Sequence, residues 1–163
     1  MPDLSITNQR INSDKSGMGK EIERKFLVIN DEFKLIAKKS VRIRQGYLCR
    51  VPEHVVRVRT KGEIGYLTVK GKNRGMTRDE FEYEIPYSDA IEMLRMCEGR
   101  VIDKTRYFVE YEGYLWEVDE FHGDLSPLIT AEIEIPEESV VVSLPGFIGQ
   151  EVTGIPEYYN SNL

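Results

Sequence analysis

The sequence has little cysteine. Cys49 and Cys97 are its two thiols, and they do not form a CxxC pair. Two cysteines placed so far apart are too few for a disulfide scaffold. They favour a protein of the reducing cytoplasm in which both thiols are inert packing residues.

The chain also lacks an excess of positive charge and any long apolar run. Its 22 Lys and Arg are outnumbered by 28 Asp and Glu, which gives a formal net charge of -6. This balance argues against general nucleic-acid binding, which needs a basic surface. No run approaches the roughly 20 apolar residues of a membrane span. Residues 1–19 lack the apolar segment of a signal peptide and predict a disordered leader. We therefore expect a cytoplasmic protein that binds neither nucleic acid nor a membrane.

Short segments of alternating polarity dominate the rest of the chain, residues 20–163, which we expect to form a single domain. The predicted strands are residues 20–28, 42–50, 54–60, 64–71, 78–85, 100–111, 114–121 and 129–135. The segment "YSDAIEMLRMCEG" predicts a helix with Asp89 as its N-cap and Gly99 at its end. A weaker helical turn is predicted at 32–38. From Ile135 onwards, Pro and Gly predict a loop with short elements.

The alternation groups charged residues on one face of each predicted strand, and "EIERKFLV" at the start of the domain is an example. In a strand, Glu21, Glu23 and Lys25 share one face, whereas Phe26 and Val28 share the other. The other strands repeat this division. Their charged faces carry Arg57 and Arg59; Lys70; Arg78, Glu80, Glu82 and Glu84; Lys104 and Arg106; Glu117 and Asp119; and Glu132 and Glu134.

Two architectures satisfy this pattern. In one, the apolar faces form the core and the charges face water. In the other, the sheet closes with its charges inward, and helices and loops cover the apolar side. Burying so many ions is costly unless each one is paired or meets a ligand. Paired arginines suit oxyanions and paired carboxylates suit a hard divalent cation, which favours the second architecture without excluding the first.

The opening EIERK resembles the ExExK signature of the CYTH family, also called triphosphate tunnel metalloenzymes. Further blocks follow in the family's order: "RQGYL", "VRVR", "LTVKG", "RDEFEYEI", "KTRY", "WEVDEF", "AEIEI" and "EVT". The resemblance covers residues 20–163. It implies an α+β, mainly β fold: an eight-stranded antiparallel closed β-barrel, or tunnel, with a charged interior and flanking helices.

The resemblance also implies a divalent-metal-dependent triphosphatase. Because the compact chain has no obvious base-reading insertion, inorganic tripolyphosphate is the expected substrate. Class IV adenylate cyclase and thiamine triphosphatase activities are the alternatives. The implied ligands of Mg²⁺ or Mn²⁺ are Glu21, Glu23, Glu132 and Glu134, with Asp119 as a further ligand, directly or through water.

A basic set is implied to bind the phosphates. Its members are Lys25, Arg57, Arg59, Lys70, Arg78, Lys104 and Arg106. Lys25 and Tyr47 are also the candidates for activating the attacking water; the alternative is that Lys25 binds phosphate and Tyr47 only packs. With Tyr47 on the charged face, strand parity places Arg42 and Arg44 on the other face.

The sequence departs from the family's pattern near its end. After "EVT", relatives often carry a basic residue just before a tyrosine, whereas this chain has Glu157 before Tyr158. A phosphate contact from that position is therefore in doubt, and a helix closing the tunnel mouth is expected to be short or missing.

An apolar outer face that needs cover also favours a homodimer.

Overall fold

The structure is a computed structural model of the chain, and it describes residues 22–72 and 79–163. These residues form nine β-strands and two α-helices, together with short 3-10 turns. In chain order the elements are β1 (Ile22–Val28), α1 (Phe33–Ile36), β2 (Lys39–Val51), β3 (His54–Lys61), β4 (Ile64–Gly71), β5 (Glu80–Ile85), α2 (Tyr87–Arg95), β6 (Glu98–Tyr111), β7 (Tyr114–Phe121), β8 (Ile129–Ile135) and β9 (Ile148–Glu151).

The eight predicted strands are confirmed as β1 to β8, with ends shifted by no more than three residues. The ninth strand, β9, lies in the segment that the sequence predicted as loop with short elements. It pairs with β1 through Phe26 opposite Glu151 and Val28 opposite Ile148. Four residues are too few for an alternating pattern to predict a strand. The segment is a strand because it pairs with β1.

The strands form an antiparallel sheet in the order β5-β4-β3-β2-β6-β7-β8-β1-β9. The mainly β, antiparallel fold is thus confirmed. A barrel requires the two end strands to pair, and the order within the described residues places β5 and β9 at opposite ends. The closed eight-stranded barrel is therefore not confirmed, and the strands number nine. Residues 1–19, predicted as a leader, lie outside the described residues.

The described chain divides into two compact units. The middle unit comprises residues 44–72 and 79–101. The terminal unit comprises residues 22–43 and 102–163.

The terminal unit has its core on the apolar face of β1, β6, β7 and β8. The core residues are Phe26, Phe33, Val109, Trp116, Val118, Ala131, Ile133, Ile135, Val142 and Phe147. Phe33 from α1 and Phe147 from the loop before β9 cover this face, their ring centroids 5.8 Å apart. Alternation places Lys25, Arg106, Asp119 and Glu132 on the other face of these strands.

The middle unit repeats the arrangement with a helix as its cover. Helix α2 packs on β3 and β4 through Ala90 and Leu94, which form a buried cluster with Val58. The approach is close at Gly65, where an added Cβ would lie 2.8 Å from the Cβ of Ala90. The charged side chains of β3, β4 and β5 again lie opposite the covered face.

Helix α2 begins earlier than the sequence predicted. Pro86 occupies the N-cap position and its carbonyl oxygen accepts a hydrogen bond from Ala90 N at 3.0 Å. Proline suits a helix start because the first N–H groups need no intrahelical partner. Asp89 therefore lies in the first turn, and no side-chain cap forms. The helix ends at Arg95, so Gly99, at φ +71°, belongs to β6.

Neither helix in residues 22–72 and 79–163 combines the length and apolarity that crossing a bilayer requires.

Candidate functional site

The terminal unit gathers acidic side chains from three adjacent strands. Strand register places Glu23 opposite Glu134, and places Glu132 opposite both Lys25 and Glu117. Directly opposed residues share a face of the sheet. As a result, four glutamates line one cavity of about 240 Å³: Glu23, Glu117, Glu132 and Glu134.

The environment of Glu23 reflects this crowding. Burial first, and then the charge of Glu132, raise the pKa of Glu23 above its usual value, while the charge of Lys25 opposes the rise. A carboxylate is disfavoured by burial and by like charges, and a bound cation relieves both. The acidic cavity therefore has the electrostatics of a cation site.

The residues of the cavity fit a hard divalent cation. All four polar side chains offer carboxylate oxygens, which Mg²⁺ and Mn²⁺ prefer. Within residues 22–72 and 79–163, no three His, Cys, Asp or Glu side chains already form a metal-binding group. Mg²⁺ is often held by only one or two carboxylates, with waters and substrate phosphates completing the shell. Glu21, the first predicted ligand, lies outside the described residues.

Next to the cavity lies a buried ionic group formed by β6 and β7. Arg106 donates two hydrogen bonds to Asp119, from Nε to Oδ1 at 2.7 Å and from Nη2 to Oδ2 at 2.9 Å. Lys104 Nζ donates to Asp119 Oδ2 at 2.7 Å, with both side chains almost fully buried. Arg106 Nη1 also lies 2.5 Å from Glu117 Oε2, which joins the ionic group to the cavity.

These contacts shift the pKa of both partners. Burial alone would raise the pKa of Asp119, but the hydrogen bond from Arg106 and the charge of Lys104 outweigh it and lower that pKa to about 2. Burial likewise acts to lower the pKa of Arg106, and its bonds to Asp119 reverse this and raise it. Both Asp119 oxygens accept bonds from cations. This contact pattern favours a role in positioning those cations, while metal binding by Asp119 stays a prediction.

Lys25 is held by the C-terminal segment. Its Nζ donates to the backbone oxygen of Tyr158 at 2.5 Å and lies 3.3 Å from Glu132 Oε1. Its backbone N donates to Thr153 Oγ1 at 3.0 Å. The sequence could not reveal the Tyr158 contact because a backbone carbonyl, placed by the 3-10 turn Pro156–Tyr158, makes it.

The middle unit carries a second charged cluster on β3, β4 and β5. Register places Arg57 opposite Thr68, and Thr68 opposite Glu82. Arg57 Nη2 donates to Thr68 Oγ1 at 3.3 Å and lies 3.7 Å from Glu82 Oε2. On the same face, Lys70 Nζ lies 4.0 Å from Glu80 Oε2. Glu80 and Glu82 thus each form an ion pair with a cation of this cluster.

Arg59 and Tyr47 belong to the same face of the middle unit. Arg59 Nε donates to Oε1 of the buried Gln45 at 3.1 Å, which fixes the odd-numbered positions of β2 on the charged side. Leu48 packs with the apolar cluster under α2, as the even-numbered positions should. Alternation along β2 puts Tyr47 on the side of Gln45, and the guanidinium carbon of Arg50 lies 4.8 Å above its ring. The placement of Tyr47 in the site stays a prediction.

The predicted site residues are thus divided between the two units. The terminal unit holds Glu23, Lys25, Lys104, Arg106, Asp119, Glu132 and Glu134, and the middle unit holds Tyr47, Arg57, Arg59 and Lys70. Arg78 and Glu21 lie outside the described residues. The sequence reasoning did not assign Gln45, Thr68 and Glu117 to the site. Parity had placed Glu117 on the charged face beside Asp119 without assigning it a role. Thr68 could have been found in the same way, because it lies two positions from Lys70.

Comparison with known proteins gives consistent matches along the chain. Residues 19–158 match the CYTH domain. An inorganic triphosphatase of Acetivibrio thermocellus is 52% identical over 147 residues, covering 90% of this chain and 94% of that protein. An inorganic triphosphatase of Nitrosomonas europaea is 36% identical over 147 residues, covering 88% and 95%.

Similar solved structures include an inorganic triphosphatase. The crystal structure of the inorganic triphosphatase NE1496 superimposes with a TM-score of 0.72 at 34% identity, covering 89% of this chain and 94% of that one. A putative adenylyl cyclase from Hippeastrum, described as having a dominant triphosphatase activity, has a TM-score of 0.51 at 15% identity, with coverage of 72% and 80%. At that identity the likeness concerns the fold alone.

Proposed function

Since this chain belongs to the CYTH domain family, we propose that it is an inorganic triphosphatase, which hydrolyses tripolyphosphate to diphosphate and phosphate. The observation that carries the proposal is the 52% identity to an inorganic triphosphatase over 90% of the chain. The two charged faces supply the chemistry that a polyanionic substrate requires: carboxylates in one group and cations beside them.

In this proposal the acidic cavity is the metal site. Glu23, Glu132 and Glu134 would hold a divalent cation, Mg²⁺ or Mn²⁺, together with Glu21. A bound divalent cation withdraws charge from phosphate oxygens and so makes the phosphorus easier to attack. The raised pKa of Glu23, caused by burial and by Glu132, supports this assignment because a bound cation would offset both causes.

The basic side chains would bind and neutralise the phosphates. In the terminal unit, Lys104 and Arg106 are oriented by Asp119, so their remaining donors keep a fixed direction. In the middle unit, Arg57, Arg59 and Lys70 present cations on one face. Arg78 is assigned to the same role from the sequence. Cations fixed before the reaction stabilise the charge that develops on the leaving oxygen without needing to reorganise.

Lys25 and Tyr47 are the proposed catalytic residues. The amine of Lys25 is held by Tyr158 and Glu132, and Tyr47 is assigned from the sequence. If either activates water, Lys25→Gln or Tyr47→Phe lowers kcat far more than it changes KM. A change confined to KM assigns Lys25 to phosphate binding instead.

A substrate panel tests the proposed function. Purified protein with Mg²⁺ or Mn²⁺ is offered tripolyphosphate, thiamine triphosphate and ATP, and released phosphate and cyclic AMP are measured separately. We expect phosphate release from tripolyphosphate to have the highest kcat/KM. Cyclic AMP as the main product, or preferential cleavage of thiamine triphosphate, would replace this function with one of its alternatives.

Three further proposals come from the sequence. The strands close into the barrel of the family, the protein works in the cytoplasm, and an apolar outer surface is covered in a homodimer. Light scattering of the purified chain at several concentrations measures the oligomeric state. A molar mass near 18.9 kDa at all concentrations rules the dimer out.

A further inference from the structure

Three side chains from adjacent strands of the middle unit form a closed triangle. Arg57 Nη2 donates to Thr68 Oγ1 at 3.3 Å, and Thr68 Oγ1 donates to Glu82 Oε2 at 2.9 Å. The third side joins Arg57 Nη2 to Glu82 Oε2 at 3.7 Å. Because the three residues are directly opposed in register, the triangle is built into the strand pairing.

Thr68 is the fixed member of this triangle. Its side chain is fully buried, and its hydroxyl gives its one proton to Glu82 while a lone pair accepts from Arg57. Burying a hydroxyl is costly unless it forms such bonds, so its rotation is restricted. The β-branched side chain also has few χ1 rotamers. Thr68 is therefore a rigid point against which the guanidinium can be held.

The Arg57 guanidinium has a second donor, Nε–H, on the same edge as Nη2. Its Nε–H is buried and has no hydrogen-bond partner among the residues that the structure describes. A buried charged donor without an acceptor is costly, and a phosphate oxygen would relieve that cost with a charge-assisted bond. Thr68 and Glu82 contact the Nη2 end of this edge, while the Nε–H beside it lacks an acceptor among the described residues.

We propose that Thr68 is a positioning residue that, together with Glu82, fixes the Arg57 guanidinium for contact with a substrate phosphate. This inference rests on the proposed function, which supplies the phosphate. Thr68 itself acts through Arg57. Its hydroxyl keeps Arg57 in one orientation before substrate arrives, so less side-chain freedom is lost on binding.

Substitution of the hydroxyl tests the proposal. Thr68→Val keeps the shape and strand preference but removes both hydrogen bonds, and Thr68→Ser restores them. We expect Thr68→Val to raise KM for tripolyphosphate by about tenfold, the equivalent of one hydrogen bond to a charged group, with little change in kcat. Thr68→Ser should stay within about threefold of the original chain on the same reasoning.

Thr60 provides the matched control. It is a second buried threonine of the middle unit, on β3, and its even-numbered position places it on the face opposite Arg57. Thr60→Val makes the same chemical change away from the charged face. We expect its KM to remain that of the original chain even if its melting temperature changes.

Calorimetric binding of tripolyphosphate without metal separates this proposal from the proposed function. If the chain binds tripolyphosphate but does not hydrolyse it, the proposed function fails, and the dissociation constants of the Thr68 variants still test the positioning role. If the chain does neither, both fail. Thr68→Val with an unchanged KM and dissociation constant, or Thr68→Ser as weak as Thr68→Val, overturns the positioning role.

A double-mutant cycle identifies the residue through which Thr68 acts. In an Arg57→Ala background, Thr68→Val should raise KM no further, since no guanidinium remains to be positioned. A further tenfold rise there contradicts the proposal. If Thr68→Val does not fold, Glu82→Gln replaces it, because a neutral amide holds the guanidinium less strongly. An unchanged KM in Glu82→Gln then counts against the positioning role.

Discussion

Individual side chains show what strand parity can and cannot reveal. Parity placed Lys104 and Arg106 on one face, and Glu117 and Asp119 on the face of the next strand. It could not tell which charges would pair, because pairing depends on the offset between β6 and β7 and on side-chain rotamers. The observed register sets Arg106 opposite Asp119, and the buried ionic group follows from that single offset. Predicting it would have required the hairpin geometry.

The buried ionic group makes Asp119 a strong determinant of stability. Asp119→Asn removes the charge that compensates Lys104 and Arg106, so we expect a loss of about 3–5 kcal/mol in the free energy of unfolding. Urea denaturation measures it. The control is Asp124→Asn on the exposed turn after β7, which should change stability by less than about 0.5 kcal/mol. Equal effects of the two substitutions would contradict the assignment.

The same carboxylate predicts an acid dependence of stability. Its pKa is lowered to about 2 in the folded chain, below the value of 3.8 that it has without these partners. The stabilisation is therefore present above about pH 4 and is lost as the pH falls toward 2. Between pH 4 and pH 2, with a chelator present, the free energy of unfolding of the original chain should fall by more than that of Asp119→Asn. Parallel pH profiles would show that Asp119 is not the responsible group.

The strands could be predicted where the alternation and the turn residues of the segment itself define them. Alternation and Gly-rich turns bounded β3, β4, β7 and β8 closely. The β9 strand escaped because pairing with β1 defines it, and the start of α2 was misplaced because Asp89 competed with Pro86 as a cap. In each case the deciding interaction lay outside the pattern that was read.

The contact between α2 and β4 depends on one small residue. At Gly65 an added methyl group would lie 2.8 Å from Ala90 Cβ and 2.9 Å from the backbone oxygen of Ile85. We expect Gly65→Ala to lower the free energy of unfolding by about 1–3 kcal/mol through overpacking.

The control for this change is Gly71→Ala at the other end of β4. There the nearest atom, Asp79 Cβ, lies 3.5 Å from an added Cβ, which is an ordinary contact. Stability should be nearly unchanged. Thermal unfolding of both variants measures the difference, and a Gly65→Ala variant as stable as Gly71→Ala would mean that α2 does not pack as described.

Across the chain, the two units share one design. Each covers its apolar strand faces, with Phe33 and Phe147 in the terminal unit and with α2 in the middle unit, and alternation places the predicted site residues on the opposite face. The sequence predicted the two faces but left open which face the chain would cover. Which face is covered depends on tertiary contacts that an alternating pattern does not show. The expectation about the covered face therefore came from the family resemblance. The acidic cavity is likewise a product of register, which brings Glu23 from the start of the domain beside Glu132.

We propose that the acidic cavity binds the cation needed for triphosphate hydrolysis. The most direct test is to titrate Mn²⁺ into a tripolyphosphate hydrolysis assay with the original chain and with Glu132→Gln. We expect phosphate release by the original chain to rise from background to a plateau, while the variant, folded by circular dichroism, stays at background at every concentration. Activation of Glu132→Gln with the same midpoint and plateau would contradict the claim.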